Sequence, residues 1–276
     1  MAGVDSRLIR LGITIEGKRT WYENYAIHAK GTKVSAALSS QCDITITGLK
    51  SETQNYILQN CRPGFINSGK RVRVELEVGR ESYGVSPYYS GDVFRAFPVP
   101  KPDIGINLKC LIGYVNKRKI VSRGGLGEFT SLRQIATWVA EDNGYKLSFQ
   151  ITDRNVRSYS FTGSAQASIE NLEALANAEV FVDNDTLYVK PQGELAKGRI
   201  VYQVSNRYRN LIQAQATEYG VIVKMLFHPD VTIGSVIDLE SELNPSINGQ
   251  YTVFRSNFDI KKRGTEFYLT VECLRR

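Results

Sequence analysis

A chain of 276 residues with 35 Lys and Arg against 28 Asp and Glu carries a formal charge of +7, which permits an acidic partner, protein or nucleic acid, without naming one. A chain of this length buries about three quarters of the surface it exposes when unfolded, so it needs neither disulfides nor a structural metal to hold a core. Nothing approaches the roughly 18 unbroken apolar residues of a membrane-crossing helix, and the opening "MAGVDSRLIRLGITIEG" lacks the apolar run of a secretion signal, so the protein is expected to be soluble when made.

Residues 1–115 read mostly as strand. In "RVRVELEV" Val72, Val74, Leu76 and Val78 point one way and Arg71, Arg73, Glu75 and Glu77 the other, the period of two that marks one buried and one wet face. "RLIRLGITIEG" and "CDITITGL" behave alike. Ser51-Glu52-Thr53-Gln54 predicts a capping box opening a helix, with Ile57, Leu58 and Cys61 as its apolar side and Pro63-Gly64 as its stop. The prolines of "FPVPKPD" (97–103) mark an edge or crossover segment.

Over residues 116–199 helical spacing replaces the alternation. Ser131-Leu132-Arg133-Gln134 is a second capping box, followed by Leu132, Ile135, Ala136 and Val139 on one face and Gly144 as the C-cap. After the strand "YKLSFQI" a second helix covers about 165–178, with Ile169, Leu172, Leu175 and Ala176 inward, and the hairpin "VFVDNDTLYVK" follows.

From residue 200 strands return: "LIQAQATEYG", "VIVKMLF", "GSVIDL", "QYTVFRS" and "EFYLTVECL", parted by His228-Pro229-Asp230, Asn248-Gly249 and Arg263-Gly264. The expected fold is mainly β with an α+β insert. Two small antiparallel β-barrels of similar strand order, residues 1–115 and 200–276, flank a helix-containing α+β unit, residues 116–199. "RVRVELEV" and "EFYLTVEC" are expected as exposed strand edges. No tandem sequence repeat and no low-complexity tract is visible.

Candidate chemistry is sparse. Asp183-Asn184-Asp185 could be half a metal site, yet it lacks the mid-loop Gly and closing Glu of a calcium loop. Asn and Asp suit a tight turn, so we read the trio as an exposed hairpin tip, where losing both acids should cost ~0.5 kcal/mol or less. The two histidines, His28 and His228, stand apart and read as structural. "RGGLGEF" (123–129) lacks the Lys of a phosphate loop and reads as a flexible helix entry. Lys117-Arg118-Lys119 and Lys261-Lys262-Arg263 are basic clusters that a nucleic acid could use if aromatics lined the same groove. Cys42, Cys61, Cys110 and Cys273 form no C-x-x-C pair and fit a reducing cytoplasm, with Cys273 as a small core hydrophobe. We assign no catalytic, cofactor-binding or metal residues and expect no enzyme. A nucleic-acid-binding barrel protein and a cell-wall hydrolase component with unrecognised carboxylates remain as other readings.

The pieces "LFHPDVTIGSVIDLES", "NGQYTV" and "DIKKRGTEFYLTVEC" resemble the final barrel of phage tail hub proteins. The middle run "GSAQASIENLEALA" before "VFVDNDTLYVK" is similar to those hubs too, as is "FRAFPVPKPDIGINLKCLIG" (94–113), more loosely. The resemblance spans most of the chain and rests on the order of its motifs. It points to baseplate hubs of Mu-like contractile-tailed phages, relatives of the hub part of type VI secretion spike proteins.

That resemblance implies tube-forming barrels and a structural hub subunit. Its homotrimer would form a pseudo-hexameric ring joining the hexameric tail tube to a trimeric central spike. The implied partners are the tail tube protein, the central spike protein and other baseplate or tail proteins, with DNA only as a transient passenger through the pore. Ending at Arg276, with no β-helical or lysozyme-like extension, the chain is expected to need a separate spike protein. No cofactor and no membrane insertion by this chain are implied. The expected location is the virion tail baseplate, after assembly in the host bacterial cytoplasm.

Overall fold

Chain order in the computed structural model, which describes residues 5–36, 40–61, 71–100, 102–125 and 127–276, begins with β1 (Arg7–Ile15), β2 (Lys18–Tyr22), β3 (Ala26–Val34) and β4 (Gln41–Thr47). Helix α1 (Ser51–Asn60) precedes β5 (Val72–Arg80), β6 (Gly84–Pro98) and β7 (Gly105–Leu111). The middle of the chain holds β8 (Ile120–Gly124), β9 (Phe129–Ser131), α2 (Leu132–Asn143), β10 (Lys146–Phe149), β11 (Asn155–Arg157) and β12 (Ser160–Ser164). It ends with α3 (Ala165–Ala176) and the hairpin β13 (Glu179–Asp183) and β14 (Thr186–Lys190). Then come β15 (Val201–Ser205), β16 (Leu211–Ala216), β17 (Gly220–Leu226), β18 (Val236–Glu240), β19 (Gly249–Lys261) and β20 (Phe267–Arg275). The fold is mainly β with an α+β insert.

A single 13-stranded sheet runs β16-β17-β20-β19-β3-β4-β7-β6-β5-β1-β2, with β18 also on β19 and β15 on β18. Two closed barrels were expected; among the described residues no sheet closes. The reason lies in who takes the free edges. Closing the first strand set would need β1 against β3, but β1 gives that edge to β2 and β3 gives its own to β19. Strand β19 serves three neighbours. Its start pairs with β18 and most of its length with β20; beyond an irregularity between Val253 and Arg255, residues 255–261 pair with β3. A bulge adds twist and bends a strand, which carries β19 off β18 and onto β3.

The alternating segments behave as their pattern dictates: Val72, Val74, Leu76 and Val78 of β5 are all buried. They are not edges, however. β5 lies between β1 and β6, and β20 between β17 and β19. The unexpected strand is β15, which pairs in parallel with β18 inside an otherwise antiparallel sheet.

Helix α2 starts as predicted, with the Ser131 hydroxyl accepting from the Gln134 amide at 3.3 Å and Gly144 closing it at φ 72°. Helix α1 does not use the Ser51 box. Its N-cap is Lys50, and the Gln54 side chain donates to the Leu49 carbonyl at 2.6 Å instead. The predicted stop, Pro63-Gly64, lies outside the described residues. Helices α2 and α3 pack Ile135, Val139, Ile169 and Leu172 against Val180, Leu187 and Val189 of the small sheet β10-β14-β13. A larger cluster runs under the long sheet without a break. There Tyr88 of β6 meets Phe227 and Phe258 edge-on, ring centres 4.8 and 5.2 Å apart.

Candidate functional site

Two sets of strands in the long sheet have the same order. The first set reads β1-β5-β6-β7-β4-β3 and the second β15-β18-β19-β20-β17-β16, so each strand has a counterpart at the same step along the chain. The match reaches single residues. Val93 faces Cys110 across β6 and β7, and Val253 faces Cys273 across β19 and β20. Each Val opens the triplet Val-Phe-Arg, and in each the register shifts at the Phe. The chain therefore carries an internal repeat, hidden because only buried pairs and a bulge persist. The sets differ in one pairing: β1 is antiparallel to β5, whereas β15 is parallel to β18.

The sets join at a seam where β3 lies against β19, from Val34 opposite Arg255 to His28 opposite Lys261. The ladder extends at both ends, with the Ser35 amide on the Phe254 carbonyl at 2.8 Å and the Lys262 amide on the Ile27 carbonyl at 3.0 Å. Gly31 sits opposite Phe258, where a Cβ would lie 2.6 Å from the ring and closer still to the Gln41 carbonyl. Only glycine lets three strands approach so closely here.

The hairpin of β13 and β14 is held onto this seam. Asn184 and Asp185 have φ of 44° and 63°, the paired positive angles of a two-residue hairpin turn, so the expected turn is present. The expectation that its acids are exposed is overturned for Asp183, while the Asp185 side chain stays 43% exposed. Asp183 is 1% exposed and accepts from the ammonium of Lys33, itself 0% exposed, at 2.7 Å. Arg199 supplies a second cation and Thr232 a hydroxyl at 3.4 Å. The same Lys33 ammonium stands 4.1 Å from the centre of the Tyr88 ring. Burial pushes the Lys33 ammonium below its usual range, against the pull of Asp183. Nearby, Lys190 is fully buried and pairs with Glu179, whose carboxyl is pushed up by burial with Lys190 acting against it. Asp185 pairs with Arg73 of β5, and the Asn184 side-chain amide donates to the Pro87 carbonyl at 3.1 Å.

On the wet face of the long sheet, charges are matched across strands. Lys109 meets Asp43 at 3.1 Å, His28 meets Asp259 at 2.8 Å and Arg255 meets Glu272 at 3.3 Å. Between them lies a shallow concavity of about 620 Å³ over the seam, lined by residues such as Lys30, Lys224 and Tyr268. The basic clusters do not converge on it as one positive stripe: Lys261 pairs with Glu266 at 2.8 Å, and Lys119 donates to the Asp142 carbonyl on the insert. The nucleic-acid-binding alternative finds no support in this arrangement. His228 is packed between Tyr83 and Tyr202, ring centres 4.7 and 4.6 Å away. In "RGGLGEF" the Gly125 amide already donates to the Tyr159 carbonyl at 3.0 Å, and Leu126 lies outside the described residues.

A family described as baseplate hub gp41 matches residues 8–273 of the chain. The 43 kDa tail protein of prophage MuSo2 from Shewanella oneidensis superposes with a TM-score of 0.62 at 11% identity, over 97% of this chain and 98% of that one. The tail protein from Neisseria meningitidis MC58 gives 0.64 at 9% identity, with 96% of each chain covered. The E. coli c3393 protein is a component of the type VI secretion system with structural similarity to the T4 tail proteins gp27 and gp5. It gives 0.60 at 8% identity, over 96% of this chain and 76% of that one. At such identities the likeness is one of fold. No curated protein matches the chain in sequence.

Proposed function

The chain belongs to the baseplate hub gp41 family, a structural part of the phage tail, and from that premise we propose that three copies close into a ring. The ring presents six similar strand sets, a near six-fold face to the tail tube and a three-fold face to the central spike. The observation that carries this reading is the internal repeat, because two sets per chain turn a trimer into a pseudo-hexamer. We place the working units at residues 1–115, 116–199 and 200–276, with the middle one an insert that braces the seam.

On this reading the hub has no catalytic chemistry and binds no cofactor. Its partners are its own copies, the tail tube protein, the central spike protein and other baseplate proteins. DNA passes through without being held, in keeping with the matched charges of the wet face. The complex is assembled in the host cytoplasm and resides in the virion tail. A reconstruction of the particle, or the mass of the hub released from it, tests the proposal. Three copies per ring are expected; one copy or six would overturn it.

A further inference from the structure

The repeat also says which surfaces one copy offers to the next. In each strand set the last strand of the order, β3 or β16, is a potential donor edge. In each, the long central strand runs past a bulge and leaves behind the neighbour on one side, β18 beside β19 and β5 beside β6. Inside the chain one donor meets one acceptor, β3 against residues 255–261 of β19. Among the described residues that leaves β16, whose one ladder is with β17, and the side of β6 beyond Val93 that β5 vacates, where the Cys61 carbonyl takes the Ala96 amide. Two different patches that fit each other make a head-to-tail contact, and repetition of such a contact closes a ring.

The end of the sheet that carries β16 also exposes large apolar side chains. Tyr219, at the turn between β16 and β17, is 70% exposed, Ile212 is 45% exposed and Leu274, opposite Gly220, is 38% exposed. We infer that this end of the sheet seats on Arg95, Phe97 and Pro98 of a second copy. The inference rests on the ring reading and adds the residues that make the joint.

Carrying the seam's register across the repeat sets the geometry. Gly31 and Ala216 hold matching places, opposite Cys42 and Val221, which themselves face Cys110 and Cys273. Arg255 and Arg95 match through their bulges, so Ala216 falls opposite Pro98 of the next copy, and the turn after β16 that carries Tyr219 lies toward Arg95. The Arg95 guanidinium lies 4.7 Å above the Phe97 ring, leaving a flat cationic surface on which a tyrosine can stack. The joint differs in kind from the internal seam. The Ala96 amide already donates to the Cys61 carbonyl at 3.1 Å, and Pro98 has no N–H, so a full ladder cannot form. Side-chain packing has to hold the copies together, which accounts for the tyrosine and leucine where β3 uses its backbone.

Two variants, Tyr219→Cys and Arg95→Cys, are mixed and treated with a short thiol cross-linker; the native cysteines are all buried and stay silent. A covalent dimer in the mixture and none with either variant alone is the expected result. In parallel, Tyr219→Asp with Leu274→Asp should weaken assembly by about tenfold or more, with the sheet's circular dichroism unchanged. A dimer from Tyr219→Cys alone would show a like-with-like contact and overturn the inference. An oligomer that forms without the mixed cross-link and ignores both aspartates would overturn it too, while leaving the ring intact. A single copy in the particle would take down both.

Discussion

Asp183, the last residue of β13, meets Lys33 of β3 at 2.7 Å with neither side chain reaching solvent. Removing the acid leaves the buried Lys33 and the partly buried Arg199 without their counter-charge. Breaking a buried pair from one side costs about 3–5 kcal/mol, against about 0–1 for an exposed one. Asp183→Ala should therefore lower the urea midpoint sharply, and Asp185→Ala, which loses a partly exposed pair with Arg73, only slightly. Equal midpoints for the two variants would mean the buried network holds nothing.

Sequence alone made that contrast invisible, because Asp is the residue a turn wants and also the residue a buried Lys wants. The partner that decides the matter lies 150 positions away. What could be read were features whose physics is local. The alternation of β5, the Ser131 cap and the Gly144 stop all depend on neighbours within a few residues, and all are in the structure. The Ser51 box failed on an equally local detail, since Gln54 found the Leu49 carbonyl first. Strand β15 was missed because its first half is exposed and its pattern is short. The splice of β3 onto β19 has no signature in either strand, and the repeat survives only as Val-Phe-Arg and two Val–Cys pairs.

His228 supplies a pH test. Its ring lies between Tyr83 and Tyr202 with Asp230 3.7 Å away, and burial holds it below its usual 6.5 while Asp230 acts against this. The unfolded chain then binds the proton more readily than the folded one. Stability from this group is complete above pH 6.5 and is lost as pH falls through the folded value. Between pH 7.5 and about 5.5 the wild type should lose more stability than His228→Phe. A variant whose pH profile overlays the wild type would remove His228 from the account.

The cysteines give a second chemical check. Cys42 and Cys110 face each other across β4 and β7, and burial pushes both thiols well above their ordinary range. Cys61 is pushed up to about 12, and Cys273 is raised too, both by burial. Because the thiolate is the reactive form, an aromatic disulfide reagent at pH 8 should find almost no thiol in the folded protein and all four after denaturation. A fast-reacting thiol in the native chain would contradict the packing described for its strand.

The seam itself is tested at Gly31. A methyl there would stand 2.6 Å from the Phe258 ring and 3.0 Å from the Cys42 Cα, with the Gln41 carbonyl nearer still. The ring cannot retreat easily, since it is packed against Tyr88 with centres 5.2 Å apart, and the other two obstacles are backbone. Gly31→Ala should cost about 1–3 kcal/mol, as overpacking does in a filled core. Gly127→Ala, where a Cβ meets nothing within 4 Å, should stay within about 0.5 kcal/mol of wild type. The damage should also be local. Hydrogen exchange should rise first at the seam amides, Ser35 and Lys262 among them, and least in β5, whose partners β1 and β6 lie away from the contact. Unchanged exchange at Ser35 and Lys262, or an equal rise across the whole sheet, would mean that Gly31 does not govern how the two strand sets are joined.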